Sequence, residues 1–310
     1  MMKRLDFHVH IENTELSVKA SARYLRQMCD LYDYLGVCLL GVFKGYEINS
    51  NENNETILRV KEIMPGSFAF ASPTPGKDFA KQAENFMRRG FDGIKLLRGG
   101  KPNYHRQYGY AYDHPVYADL FAYCEENGVP ITMHNNDPLI HWDVKSAPQR
   151  AIERGWGYDE TYPPQSYFFE VLDRVLERYP RLNLAIAHFG FYSDDLPRAA
   201  AMLERYPNLK FDITPAILIY EQFSQTPAET EAFFRKYHDR LIFGTDADSH
   251  QTGEKKAYTN LKNRLTSAFF GGGEPVTIEG RYIHPIRLSE EMLENIYYNN
   301  AMRFVGKLRD

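Results

Sequence analysis

Cysteine is scarce in this chain: Cys29, Cys38 and Cys124 are the only three in 310 residues, odd in number, far apart and set in apolar stretches. No CxxC pair is present, so the three read as reduced core residues of a protein in a reducing compartment, not as a disulfide framework. No run of 18 or more apolar residues occurs, which excludes a hydrophobic membrane-spanning helix. The first residues pass from Met1, Met2, Lys3 and Arg4 straight into a strand pattern with no apolar leader segment, and the expected location is cytoplasmic. Positive charge is not in excess either. A formal charge of -4 and a pI near 6.2 leave no electrostatic footprint for nucleic acid or an anionic membrane. The expected partner is therefore a small molecule, with self-association left open. Low-complexity tracts, linkers and breaks in composition are missing too, so residues 1–310 are expected to form one domain.

What the chain does have is an ordinary globular balance, 43% hydrophobic and 25% charged, with an aromatic surplus of 22 Tyr and 20 Phe. Eight short β-like runs, at residues 5–11, 37–43, 67–71, 93–97, 130–134, 183–188, 210–214 and 241–246, alternate with amphipathic helical patterns. The helical patterns cover residues 17–35, 52–64, 78–89, 115–127, 166–179, 194–206 and 227–237. Gly36, Gly90 and Gly128 follow helical runs, where a left-handed glycine ends a helix without steric penalty. Two similar phrases, 178–184 and 205–210, run from a helix through Tyr-Pro directly into a strand, as short helix-to-strand turns do. Repeated βα units of this length predict a (β/α)8 barrel, with a doubly wound open sheet as the alternative. The longest connections follow strands four, five, seven and eight, all on the face where barrels place their active sites.

Polar residues collect on that same face. Asp6-Phe7-His8-Val9-His10 alternates apolar residues with histidines, and in a strand His8 and His10 would share one face, close enough to meet one metal if other strands supply further ligands. Lys95 lies in Gly-Ile-Lys-Leu-Leu, while His134, His188 and Asp246 each end an apolar run. Any one of these reads equally as a satisfied core residue. Buried imidazoles and carboxylates are costly unless paired or metal-bound, so their recurrence on separate strands points to a site.

Taken together, HxH on the first strand, His at the ends of the fifth and sixth, and Asp at the end of the eighth resemble the amidohydrolase superfamily over essentially the whole chain. The resemblance is closest to the amidohydrolase-related (amidohydrolase 2) branch that includes aminocarboxymuconate-semialdehyde decarboxylase, whose closing helix is echoed at residues 288–301. It implies a metal-dependent TIM barrel in which His8, His10, His134 and Asp246 hold one divalent metal and His188 lies beside it. Zinc is the first expectation, and Mn, Fe, Co or Ni suit the same N/O donors. In dinuclear relatives a carboxylated lysine on the fourth strand bridges two metals, so Lys95 is either such a bridge or, with one metal, a partner for a substrate anion or a nearby carboxylate.

Such a donor set lowers the pKa of bound water to about 7. Asp246 would take and return the proton, while His188 would bond the oxyanion or orient the water. Arg98, in a Tyr-rich loop, is a candidate for gripping a substrate carboxylate, or a structural loop charge. His105, His141 and His250 read as surface or supporting residues, with Glu12, Asp248 and His250 placed to orient the metal ligands. The expected activity is metal-dependent hydrolysis of an amide, lactone or ester-like bond in a small metabolite. Non-oxidative decarboxylation on the same site is the alternative reaction, and a non-catalytic ligand-sensing barrel is the alternative from another class.

Overall fold

A parallel strand covered on both faces must be apolar along its length, and the segments Val37–Leu40 (β2), Phe68–Ala71 (β3) and Ile131–Met133 (β5) are buried throughout. A computed structural model describes residues 2–12, 16–42, 50–215, 218–249 and 253–308. Together with Asp6–His10 (β1), Gly93–Leu96 (β4), Leu184–Ile186 (β6), Leu209–Asp212 (β7) and Leu241–Ile242 (β8), these strands pair in parallel, each with its neighbour in sequence. A ninth short strand, Ala247–Asp248 (β9), pairs in parallel with β1 through Val9 and His10.

Of the expected eighth run, residues 241–246, only Leu241–Ile242 forms a strand, and β9 follows just beyond its end, so the eighth position of the barrel is broken between β8 and β9. The break carries its own closing bonds. Phe7 N donates to Phe243 O at 3.0 Å, and Thr245 donates to the buried Asp6 carboxylate from its N–H at 2.9 Å and its hydroxyl at 2.5 Å. Since β8 pairs with β7 and β9 with β1, the sheet closes into a barrel, as the alternation of elements predicts. The expected strand over 37–43 ends at Leu40; Phe43 lies outside the described residues.

Helices fill the crossovers: Val18–Tyr32 (α1), Asn51–Ile63 (α2), Phe79–Arg88 (α3), Pro102–Tyr108 (α4), Ala118–Asn127 (α5), Gln149–Glu153 (α6), Gln165–Arg178 (α7), Leu196–Arg205 (α8), Leu218–Phe223 (α9) and Pro227–Tyr237 (α10). The short α4, α6 and α9 lie in connections expected to be loops. A further helix, Gly253–Phe270 (α11), follows β9, and a hairpin of Val276–Ile278 (β10) and Arg281–Ile283 (β11) follows it. Neither the helix nor the hairpin belongs to the expected alternation. Among the described residues no helix is long and apolar enough to cross a membrane.

The chain closes with Glu290–Glu294 (α12) and Asn300–Phe304 (α13), joined by a wider π turn at Asn295–Asn299. A π turn shifts the helix ladder, and here Ile296 O and Tyr297 O accept from Phe243 N at 3.0 Å and Leu5 N at 2.8 Å. This helix therefore pins both strands that flank the closure.

Alternation along each strand separates two cores. Outward residues such as Ile94, Leu96, Ile131, Met133, Leu184 and Phe211 pack under the helices. Inward positions near the barrel floor are filled by Phe7, Cys38, Leu40, Phe68 and Phe70 with Phe304 from α13. Pairing of β1 with β2 shifts register between Asp6 and Val9, so Phe7 packs in the inner cluster whereas Val9 and Ile11 join the outer one. Lys95 and Asp212, alternating with outward neighbours, face the interior above that floor.

Closure also requires a residue without a side chain at 244. A Cβ on Gly244 would lie 2.6 Å from Thr214 Oγ1 and 2.7 Å from His8 Cβ. Gly244→Ala is expected to lower stability by about 1–3 kcal/mol, because neither the strand nor the packed histidine can give way. Denaturant unfolding measures this, and an unchanged midpoint would mean that the closure is slack.

Candidate metal centre

The β1 histidines are oriented by what their Nδ1 atoms touch. His8 Nδ1 lies 2.5 Å from Asp212 Oδ2, and His10 Nδ1 lies 2.9 Å from the carbonyl of Leu40. A carboxylate and a carbonyl only accept, so these contacts assign both Nδ1 atoms as N–H donors. Each Nε2 then carries a lone pair toward the barrel mouth. The two Nε2 atoms are 3.2 Å apart, and Asp246 Oδ1 is 3.3 Å from that of His10 and 3.7 Å from that of His8.

Three acceptors facing one another is a repulsive arrangement. A proton on one imidazole relieves part of it, whereas one cation among the three relieves all of it. Tetrahedral ligands at 2.0–2.1 Å from zinc stand about 3.3–3.4 Å apart, close to the spacings found here. Burial, with Lys95 and His10 nearby, holds His8 well below the usual imidazole range and so keeps it neutral. For Asp246, burial alone would raise the carboxyl, but Lys262, His10, His8 and His188 outweigh it and hold the group ionised.

His188 arrives from the end of β6 on unusual backbone. His188, Phe189, Gly190 and Phe191 all have positive φ, 54° to 61°, and Asp246 has φ 55°. Only glycine adopts this region freely, and each other residue there costs on the order of 1–3 kcal/mol. Packing of Phe189 against Phe211, Phe223 and Phe233, with centroids 4.8, 5.0 and 5.5 Å away, opposes that cost. The turn brings His188 into the cluster itself, where the resemblance places it only beside the metal. Donor atoms of His8, His188 and Asp246 all lie within 4.8 Å of one another, and His188 Nδ1 is 3.4 Å from Thr214 O.

His134 stands one ring further out. Its centroid is 5.1 Å from that of His188, and its Nε2 is buried without a hydrogen bond, 3.5 Å from Asp137 Oδ1. Burial pushes this imidazole down to about 4, against the pull of Asp137. Asp137 is in turn held by Lys101 Nζ at 2.8 and 2.9 Å and by the Tyr158 hydroxyl. Lys101 also lies over the Trp156 ring. His141, expected at the surface or in a supporting position, is buried beside Trp156 and Tyr158.

Lys95 is 1% exposed, and among the described residues its Nζ makes no hydrogen bond. Burial pushes the amine down to about 8, while Asp212 and Asp246 pull the other way. Arg98 is buried in a different setting, donating to Pro73 O at 3.3 Å and lying over the Tyr108 ring. Glu12 and Asp248 pair with Lys255, and His250 lies outside the described residues.

Two groups at the centre are not among the residues the sequence singles out. Asp212 orients His8 and accepts from Thr214 N at 2.8 Å. Its signal is present, a carboxylate inside the apolar phrase Phe211-Asp212-Ile213. Lys262, on α11, reaches Asp246 O at 2.8 Å and Oδ2 at 3.0 Å, and nothing in the pattern of its helix marks it. The donor set thus fits a divalent metal: neutral imidazoles with outward lone pairs, an ionised carboxylate, and a carboxylate behind one imidazole to fix its tautomer.

The sequence profile of a family described as Amidohydrolase matches residues 5–307. No curated protein matches the sequence. Among solved structures, dihydroorotase from Campylobacter jejuni superposes with a TM-score of 0.60 at 14% identity, covering 100% of this chain and 85% of that one. The 2,6-dihydroxybenzoate decarboxylase from Rhizobium gives 0.58 at 16%, covering 98% and 99%. A dihydroxybenzoic acid decarboxylase from Polaromonas sp. JS666, solved with manganese and the inhibitor 2-nitroresorcinol, gives 0.56 at 15%, covering 100% and 98%. At these identities the likeness establishes the fold.

Two outcomes follow from the geometry. Purified protein, stripped by chelation and exposed to Zn²⁺ or Mn²⁺, is expected to take up about one equivalent and to melt at higher temperature. The His8→Ala, His10→Ala variant should fold and bind none, and elemental analysis showing unchanged uptake would reassign the ligands. The second outcome concerns acid. His134 folds with a pKa of about 4 against 6.5 when free, so between these values the unfolded chain binds more protons. Its contribution to stability is whole above pH 6.5 and lost as pH falls toward 4. Metal-free His134→Gln should show a shallower decline over that window in unfolding titrations; parallel curves would remove His134 as a buried neutral group.

Proposed function

Because the chain belongs to the amidohydrolase family, we propose that it is a metal-dependent hydrolase of an amide, lactone or ester-like bond in a small organic substrate. The observation that carries this reading is the convergence of His8 Nε2, His10 Nε2 and Asp246 Oδ1. These three, with His188 and His134 adjoining, would hold the ion. A bound divalent metal supplies Lewis acidity and brings the pKa of water near neutrality.

The side chains divide the remaining work. Asp246 is 33% exposed, so the cluster is open to the mouth on its side, where the carboxylate can accept a proton from water and pass it to a leaving group. His188 points Nδ1 at the Thr214 carbonyl, which leaves its Nε2 an acceptor. It therefore suits orienting a water better than donating to an oxyanion. Lys95 supplies the missing donor, since its buried ammonium has N–H groups engaged with no partner. Beyond His134 lie Tyr158, Trp156 and the Lys101–Asp137 pair.

Decarboxylation on the same residues is the second reading, and Lys95 favours it too. A buried cation without a carboxylate partner suits the carboxylate of a substrate, and two of the similar solved proteins are named as decarboxylases of dihydroxybenzoates. The two reactions separate in one assay series. Metal-loaded protein would be offered lactones, amides and aromatic or enoic acids, following acid release and CO₂ in parallel. Acid release with ¹⁸O entering from water supports hydrolysis, and CO₂ evolution without net water uptake puts decarboxylation in its place. Lys95→Met should lower kcat by about 10²-fold or more with metal content retained, and His188→Asn should lower it at least as far. Undiminished turnover in both would dismiss these roles.

A further inference from the structure

Helix α11 has no counterpart in the expected element order, yet it reaches the centre of the molecule. Lys255 and Lys262 stand seven residues apart, two turns along one face. Lys255 binds Glu12 Oε2 at 2.9 Å and also Asp248, at the rim. Lys262 goes deeper. It is 1% exposed, it packs its ammonium 4.4 Å from the Tyr258 ring centroid, and it donates to two oxygens of Asp246.

Those two bonds divide the aspartate. The backbone carbonyl and Oδ2 are taken by Lys262, at 2.8 and 3.0 Å, while Oδ1 alone is turned toward His10 and His8. Bonding the carbonyl also holds the left-handed residue in place. We propose that Lys262 is a positioning residue that presents Asp246 to the metal through one oxygen and prevents two-oxygen ligation. The inference rests on the metal-site reading above and adds to it a determinant of coordination number outside the strand ends. Removing an ammonium also relieves its repulsion of a metal ion, so affinity alone is ambiguous. The geometry of the ligand field is the discriminating readout.

Cobalt(II) reports that geometry, because its visible absorption weakens as coordination number rises. The full-length protein would be stripped, loaded with Co²⁺ and compared with Lys262→Met, Lys262→Gln and Lys255→Met, each checked by thermal unfolding. Wild type should bind Co²⁺ with an intense visible band. Lys262→Met should bind it with a clearly weaker band as Oδ2 becomes free to join. Lys262→Gln keeps one amide donor for Oδ2 and should recover much, though not all, of the intensity, whereas Lys255→Met, which loosens the same helix at the rim, should leave the spectrum unchanged. If wild type takes up no Co²⁺, the metal-site reading itself fails. If wild type binds and the Lys262→Met spectrum superimposes on it, or Lys255→Met alters the band equally, the positioning role is overturned while the metal site stands. Should Lys262→Met not fold, Lys262→Gln and Lys255→Met still decide the matter: a Lys262→Gln band no different from wild type then overturns the role.

Discussion

The contact on which the rest depends is the buried bonding of Asp6 to Thr245. Together with the Phe7 N–Phe243 O bond and the β9 pairing, it joins the first strand to the broken eighth and fixes the β1 histidines relative to Asp246. The carboxylate accepts from both polar groups of Thr245 and from His8 N at 3.2 Å. Burial nevertheless pushes its carboxyl up to about 7. A charge-bearing group is thus kept at the seam because backbone pairing alone is too short to close it: β8 and β9 have two residues each. Bonds to a side chain substitute for the ladder that the break removes.

That break explains where the sequence is readable and where it is not. Seven of the runs form the expected strands because apolar continuity is dictated by burial on both faces. The eighth, Leu241 to Asp246, keeps its place but loses its continuity, since Gly244 must pass close to His8 and Thr214, a demand of tertiary structure that no local pattern records. Helix α11 is hidden for a related reason. Its buried side includes Thr259, Lys262, Asn263 and Thr266 beside Leu261, Leu265 and Phe269, so polarity does not separate its faces.

The candidate site divides in the same manner. His8, His10, His188 and Asp246, on or at the ends of apolar strands, are visible because an ionisable group there contradicts its surroundings. Asp212 breaks the same rule and is legible by the same criterion. Lys262 breaks no rule, because a lysine on a helix is expected to be solvated, and only the packing of α11 against the barrel shows it buried. His134 is legible as a strand end, but its distance from the cluster is not, because that depends on the loop through Asn136 and Asp137 that turns its ring toward a buried carboxylate.

The bonds at the seam have a further consequence, which lies in the order of assembly. Asp6 and Thr245 are separated by 239 positions, and His8 and Asp212 by 204. Contacts of such range form late, after most of the chain-closure entropy has been lost. During synthesis His10 can meet Leu40 O early, but the His8 imidazole must wait unpaired until Asp212 has emerged, and Asp6 until Thr245 has. Any fragment ending before Thr245 carries both histidines and their β2 partner but lacks the bonds that close the other edge of their strand. Ion capture by the three-acceptor cluster would then act as a lock on the final step, holding together the two strands that meet last.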